Sequence, residues 1–261
     1  MIDSLYIGAT GLNTQQVRID TIANNVSNVN TTAFKKGRVA FADIFYRRLN
    51  TATPVNLEAQ STQVGLGTAI SRTDSVFSAG DIVQTNNPLD LAIQGGGFFE
   101  VRSTGGETVY SRLGSLRLNT DGELQTQNGD LLASSVRVPP DATSITVSRG
   151  GEISVVVPNQ RDPVVLGTLE LANFVNPEGV RAIGGGLYAA TESSGQPYFA
   201  APGENGAGTI SQGFLESSNV DLTTELIDLV VAQRAYQLNS RIVQISDQIL
   251  STIANLRQSQ G

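Results

Sequence analysis

Residues 221–256 read DLTTELIDLVVAQRAYQLNSRIVQISDQILSTIANL. Val231, Ala235, Leu238, Ile242, Ile245, Ile249, Thr252 and Leu256 follow one another in steps of four and three, the spacing of one face of a helix that packs on another helix. A second stripe runs beside the first: Leu222, Leu226, Leu229, Gln233, Tyr236, Ser240, Val243, Asp247 and Leu250. Polar residues dilute it, but the step is the same. Asn219 or Asp221 can cap the start. Acids come early (Asp221, Glu225, Asp228) and arginines late (Arg234, Arg241, Arg257), as the helix dipole favours. At 1.5 Å per residue the helix would be about 54 Å long.

The other end of the chain carries a shorter pattern of the same kind. Leu5, Leu12, Ile19 and Val26 recur every seven residues, and Ile22 and Val29 follow three residues after Ile19 and Val26. Asp3 or Ser4 can cap this helix, and Asn24, Asn25, Asn28 and Asn30 fray its end. Gly8 and Gly11 each weaken it by about 1 kcal/mol relative to alanine. This helix can cover one stripe of the C-terminal helix, in parallel or antiparallel. The second stripe then needs another partner, either the middle of the chain or other copies of the protein.

The middle is strand-rich from about 75 to 215. Apolar residues alternate in 89–93, 116–118, 145–147 and 153–155, and Gly105-Gly106, Asp121-Gly122, Asn128-Gly129 and Gly150-Gly151 supply turns between them. Residues 47–70 are polar and contain Pro54, Gly65 and Gly67, which reads as an extended arm. The expected class is α+β: long terminal helices pairing as a coiled-coil-like inner domain, with an antiparallel all-β domain inserted between them. The expected parts are an N-terminal helix over 1–33, a connector over 34–74, a β-rich outer domain over 75–215 and a C-terminal helix over 216–261.

Composition removes most chemistry. The chain has 261 residues, a net charge of −7, no Cys and no His. Thiolate nucleophiles, imidazole bases, disulfides and the usual zinc sites are excluded, and an acidic chain is a poor partner for nucleic acid. No stretch approaches the roughly 20 apolar residues of a membrane span, and the N-terminal residues do not read as a cleavable signal. Gly95-Gly96-Gly97 lacks the Gly-Lys-Ser/Thr ending of a phosphate loop and is followed by a strand-like Phe98-Phe99-Glu100-Val101, so a tight turn or bulge is expected there. Asp81, Asp90, Asp121, Glu123 and Asp130 are scattered at turns. No catalytic residue, metal site, cofactor or small-molecule substrate is expected.

The motifs carry a resemblance. Residues 22–36, from Ile22-Ala23-Asn24-Asn25-Val26 to Ala33-Phe34-Lys35-Lys36, resemble the N-terminal motif of bacterial flagellar rod and hook proteins. Glu216-Ser217-Ser218-Asn219-Val220-Asp221 and Val231-Ala232-Gln233-Arg234-Ala235-Tyr236-Gln237-Leu238-Asn239-Ser240 resemble the C-terminal motif. Residues 90–99 and 110–116 resemble motifs of the β domain. The likeness runs nearly end to end and is nearest to the distal rod type; a proximal rod subunit is the alternative within the family. It implies a structural, non-enzymatic subunit of the flagellar basal body, exported without a cleaved signal peptide through the type III apparatus. Such subunits polymerise into a helical tube, a drive shaft that crosses the periplasm and transmits torque to hook and filament. The implied partners are other copies of the chain, proximal rod and hook proteins, and the peptidoglycan and outer-membrane ring proteins.

Spacing and motif together nominate self-assembly residues: Leu5, Leu12, Ile19, Ile22, Asn24, Asn25, Val26, Phe34 and Lys35 near the N-terminus. Near the C-terminus they nominate Leu222, Leu226, Leu229, Gln233, Arg234, Tyr236, Leu238, Asn239, Ile242, Ile245, Ile249 and Leu256. Gln15, Gln233, Asn239 and Asp247 within the stripes would fix register at some cost in stability. Two readings from other classes stay open on sequence alone. One is a secreted β-rich hydrolase of cell-wall glycan, which needs a facing carboxylate pair. The other is a binding module with a coiled-coil tail.

Overall fold

The computed structural model describes residues 2–49, 62–134, 136–158 and 162–258. It is an α+β structure with a helix at each end and a β-rich middle. The described residues fall into two compact units, one drawn from 1–27, 37–74 and 221–261, the other from 28–36 and 75–220.

In the first unit, helix α1 spans Ile2–Ser27 and helix α2 spans Leu222–Gln258. Helix α1 begins ahead of both cap residues expected for it, so Asp3 and Ser4 lie inside its first turn. Helix α2 is capped by Asp221, whose carboxylate accepts from the Thr223 amide at 2.9 Å and from the Thr224 hydroxyl at 3.1 Å. Where the sequence suggests an extended arm, most of the described connector is paired strand. Gly37–Asp43 pairs with Thr68–Ser75, and Tyr46–Leu49 pairs antiparallel with Thr62–Gly65. Positions 39, 41 and 70 carry apolar side chains, but Gly37–Asp43 and Thr68–Ser75 are exposed or half-buried throughout, so no clean two-residue alternation marks them in the sequence. Residues 50–61 of the arm lie outside the described residues.

The second unit is built on strand Phe98–Arg102. Thr108–Ser111 pairs along one edge of it, and Leu131–Leu132 and Leu171–Asn173 share the other edge. These strands belong to a nine-stranded antiparallel sheet among the described residues. Ser144–Val147, Glu152–Val156 and Val164–Thr168 form a three-stranded sheet. Leu91–Gln94 pairs with Thr209–Gln212, and Ile82–Gln84 pairs with Phe214–Glu216. Side chains on neighbouring strand positions point to opposite faces, and here both faces are buried. Phe99, Val101, Val109 and Leu171 enter an aliphatic core with Leu91, Ile153 and Ile210. Phe98, Tyr110 and Ala172 enter a second, aromatic core with Phe174 and Tyr188. Its rings meet edge to face, Tyr110 and Phe174 at 4.9 Å and Phe77 and Phe98 at 5.2 Å. That double burial explains the unbroken apolar run at 98–99.

Gly95-Gly96-Gly97 is a turn, as expected. The Arg112 guanidinium donates to the Gly95 carbonyl, and the Gly208 amide donates to the Gly96 carbonyl at 2.7 Å. The loop after Ser111 crosses strand Leu91–Gln94 so closely that a Cβ on Gly114 would lie 1.5 Å from the Leu91 carbonyl oxygen. Asp90 accepts from the Asn87 amide at 3.0 Å, and Asp130 caps its own turn through the Thr126 hydroxyl at 3.3 Å. Among the described residues, no group of three or more carboxylates is placed to hold a metal ion.

Two predictions follow from this packing. Gly114→Ala must push backbone against backbone, beyond ordinary core overpacking of about 1–3 kcal/mol. The urea midpoint of the β unit should fall by at least that equivalent. The second concerns Tyr188, whose phenol is pushed up to about 12 by burial, with Arg112 opposing and Glu216 adding. A phenol raised in the fold stabilises fully below its unfolded value near 10 and loses that contribution as pH climbs through 12. Tyr188→Phe should therefore be nearly neutral at pH 7 and flatten the loss of stability between pH 10 and 12, read by denaturation across that range.

Candidate self-assembly surface

Helices α1 and α2 run antiparallel. A Cβ on Gly8 would lie 2.7 Å from Val243, and one on Gly11 would lie 2.7 Å from the Asn239 amide. Further along, Arg18 reaches Asp228 at 3.2 Å and the Asn25 side chain donates to Glu225 at 3.1 Å. The contact is thus lined by small and polar residues. Gly8, Gly11, Thr14, Ile22 and Asn25 are buried on α1; Glu225, Ala232 and Ser246 are buried on α2. The two glycines that weaken α1 as an isolated helix are what allow α2 to come this close.

Neither stripe read from the α2 sequence is the contact line. The line runs between them and borrows from both: Leu229, Ala235, Asn239, Ser240, Val243 and Leu250 are half-buried. The more apolar stripe faces away. Leu238 is 62% exposed, Ile242 47%, Ile245 46%, Ile249 44% and Ile253 48%, with Val231 at 50%. Leu222, Leu226 and Tyr236 are exposed as well, beside Ile227 and Val230. Gln233 and Arg234 are exposed polar neighbours of these stripes. The side chain of Leu256 lies outside the described part of the chain. On α1, Leu5, Leu12, Ile19 and Val26 are half-buried and Asn24 is exposed.

Three nominated motif residues are occupied inside the chain instead of at its surface. Asn25 clasps Gly37 from both sides: its amide donates to the Gly37 carbonyl at 3.0 Å and its oxygen accepts from the Gly37 amide at 2.8 Å. Lys35 is buried; its ammonium donates to Glu216 and to the Ser78 carbonyl, each at 2.7 Å. Burial holds the Lys35 amine below its usual basicity, with Glu216 pulling the other way. Phe34 is half-buried and its carbonyl accepts from the Asn219 amide at 3.3 Å. Reading the sequence missed two partners in this set. Arg112 lies 3.5 Å from Glu216 and over the Phe98 ring at 5.7 Å. Asn219, weighed as a helix cap, accepts from the Lys36 amide at 2.8 Å and donates to the Val76 carbonyl at 2.8 Å. The family motif did contain Glu216 and Asn219, but only the fold brings them to Lys35 and Lys36.

Comparison with known proteins places these features. Residues 5–35 match the family model for flagella basal body rod proteins. Residues 92–155 match that for the D1 domain of flagellar hook proteins FlgE/F/G, and residues 211–256 that for the C-terminal part of flagellar basal body rod FlgEFG proteins. The chain is 40% identical over 260 residues to the flagellar basal-body rod protein FlgG of Buchnera aphidicola subsp. Acyrthosiphon pisum, covering 98% of this chain and 100% of that protein. It is 40% identical over 264 residues to FlgG of Borreliella burgdorferi, covering 99% and 100%. With FlgG of Bacillus subtilis the identity is 36% over 266 residues, again covering 99% and 100%. These matches run along nearly the whole chain, from the first helix through the β unit to the last helix, and the chain belongs to the flagellar basal-body rod protein family.

Proposed function

We propose that the protein is the structural subunit of the distal rod and that it assembles with copies of itself into a helical tube that transmits torque. The observation that carries this reading is the exposed stripe Leu238, Ile242, Ile245, Ile249 and Ile253 on α2. An apolar line of that length, repeated at helical spacing, is an interface in waiting. At about 25 cal/mol per Å² of apolar surface, each isoleucine removed from water adds on the order of 1 kcal/mol or more. Many such contacts along a polymer add by multivalency.

In this reading α1 and α2 form the inner, coiled-coil-like domain over 1–33 and 216–261, and the β domain over 75–215 faces outward. The segment 34–74 links them. The nominated α2 residues Leu222, Leu226, Tyr236, Leu238, Ile242, Ile245 and Ile249 touch neighbouring copies directly. Asn25 and Lys35 act from within, by fixing the shape that is copied. The protein is structural and no catalytic step is asked of it. It assembles with other flagellar axial components, the proximal rod on one side and the hook on the other, inside peptidoglycan and outer-membrane ring proteins. It reaches this periplasm-spanning position through the type III export apparatus with its N-terminus uncleaved.

The double variant Ile242→Asp/Ile245→Asp tests the reading. Expressed in a strain lacking its own copy, it should fail to enter basal bodies and leave swimming at the level of the empty strain. The urea midpoint of the β unit should stay as in the parent protein. Motile cells carrying both aspartates in their rods would sink the proposal.

A further inference from the structure

Within the β unit, two cations share one carboxylate out of water. The side chains of Lys35, Arg112 and Glu216 are 0%, 3% and 2% exposed. Glu216 is the carboxylate that acts on both cations, while Arg112 and Lys35 repel each other. The three belong to distant parts of the chain. Lys35 comes from segment 28–36, Arg112 follows strand Thr108–Ser111, and Glu216 ends strand Phe214–Glu216.

We propose that Lys35, Arg112 and Glu216 form an electrostatic latch that closes segments 28–36, 76–81 and 214–219 in one step, when residue 216 docks. Before then, seating Lys35 beside Arg112 would bury two like charges with no counter-charge. Removing the partner of a buried ion is among the most destabilising changes known. Once Glu216 is in place, each segment holds the other two. The Ala33 amide donates to the Glu216 carbonyl at 2.8 Å, and the Val76 amide to the Lys36 carbonyl at 2.9 Å. The Gly80 amide donates to the Glu216 carboxylate at 2.9 Å. The Ser217 amide donates to the Asp81 carbonyl at 2.7 Å, and the Asn219 amide to the Phe34 carbonyl. The bonds therefore run around a triangle of segments, with the charges at its centre. Lys35 and Glu216 are 181 positions apart, so the latch is a late contact in any order of folding governed by chain separation. These segments are also the ones through which the chain passes into and out of the β unit. Both ends of that unit are thus left open until the last of its residues arrives.

Amide hydrogen exchange on the full chain tests the latch. In Glu216→Gln the side chain keeps its shape and loses its charge. Protection should fall about 100-fold or more at Ala33, Val76 and Gly80 together, while strands Phe98–Arg102 and Thr108–Ser111 stay within tenfold of the parent. Loss confined to 214–219, or no loss, overturns the proposal. Should Glu216→Gln not fold, Lys35→Met puts the same question. The Gly80, Ser217 and Asn219 amides make no bond to the Lys35 side chain, so faster exchange at all three supports the latch. Exchange unchanged at those three amides overturns it.

Discussion

Helix α2 carries apolar side chains around more of its girth than a single neighbouring helix can cover, and the neighbour it has inside the chain leaves its isoleucines exposed. Glycine, threonine, alanine and serine at the α1–α2 contact give a close approach, and the longer apolar side chains of α2 beside them, Leu229, Val243 and Leu250, are only half-buried. In a self-contained helical hairpin the reverse holds, because the widest apolar stripe turns inward and the small polar residues face water. Here α2 keeps its isoleucines outside. Helix α1 does not have to be strongly helical alone: it has two glycines and a string of asparagines at its end, yet it meets α2 along much of its length.

Polar side chains do a different job. Asn25 fixes Gly37 and Glu225 in the helical unit, and Asn219 fixes Lys36 and Val76 in the β unit. The chain passes between the two units four times, and these clamps sit within a few residues of the crossings. A hydrogen bond contributes about 1 kcal/mol net, but leaving its buried partner unmade costs more. Such groups therefore specify one path for the chain more than they raise its overall stability. The buried Lys35–Glu216 pair belongs to the same class. It is weak as a source of stability, since desolvation offsets most of its attraction, and strong as a penalty on any other arrangement.

How much of this could be read from residues alone follows from the same physics. The helices were legible because their period of 3.6 persists over many turns, and the β unit because Asp-Gly and Asn-Gly turns punctuate alternating runs. The face of α2 that meets α1 was not legible. Periodicity weights isoleucine and leucine heavily and passes over Gly8, Gly11, Ala232 and Ser246, which matter here through their lack of bulk. Strands Gly37–Asp43 and Thr68–Ser75 were hidden for a related reason, since a strand with no well-buried face has no clear alternation to detect. Lys35 and Glu216 each stood inside a recognised motif. Their meeting, and the placing of Arg112 between Glu216 and Phe98, depends on tertiary closure that no local spacing encodes.

On the rod reading, the division between greasy outside and polar inside sets what a subunit can do alone. Had α1 covered Leu238, Ile242, Ile245 and Ile249, the isolated chain would have satisfied its main apolar surface, and joining a polymer would gain little. With small residues at the internal contact, most of the hydrocarbon burial available to α2 is reached only among neighbours. The gain then scales with the number of copies that touch it. Shape, by contrast, must be right before assembly, since a helical lattice repeats any error at every step. Assigning shape to buried hydrogen bonds and charges, and affinity to exposed isoleucine and leucine, lets one sequence meet both demands without either weakening the other.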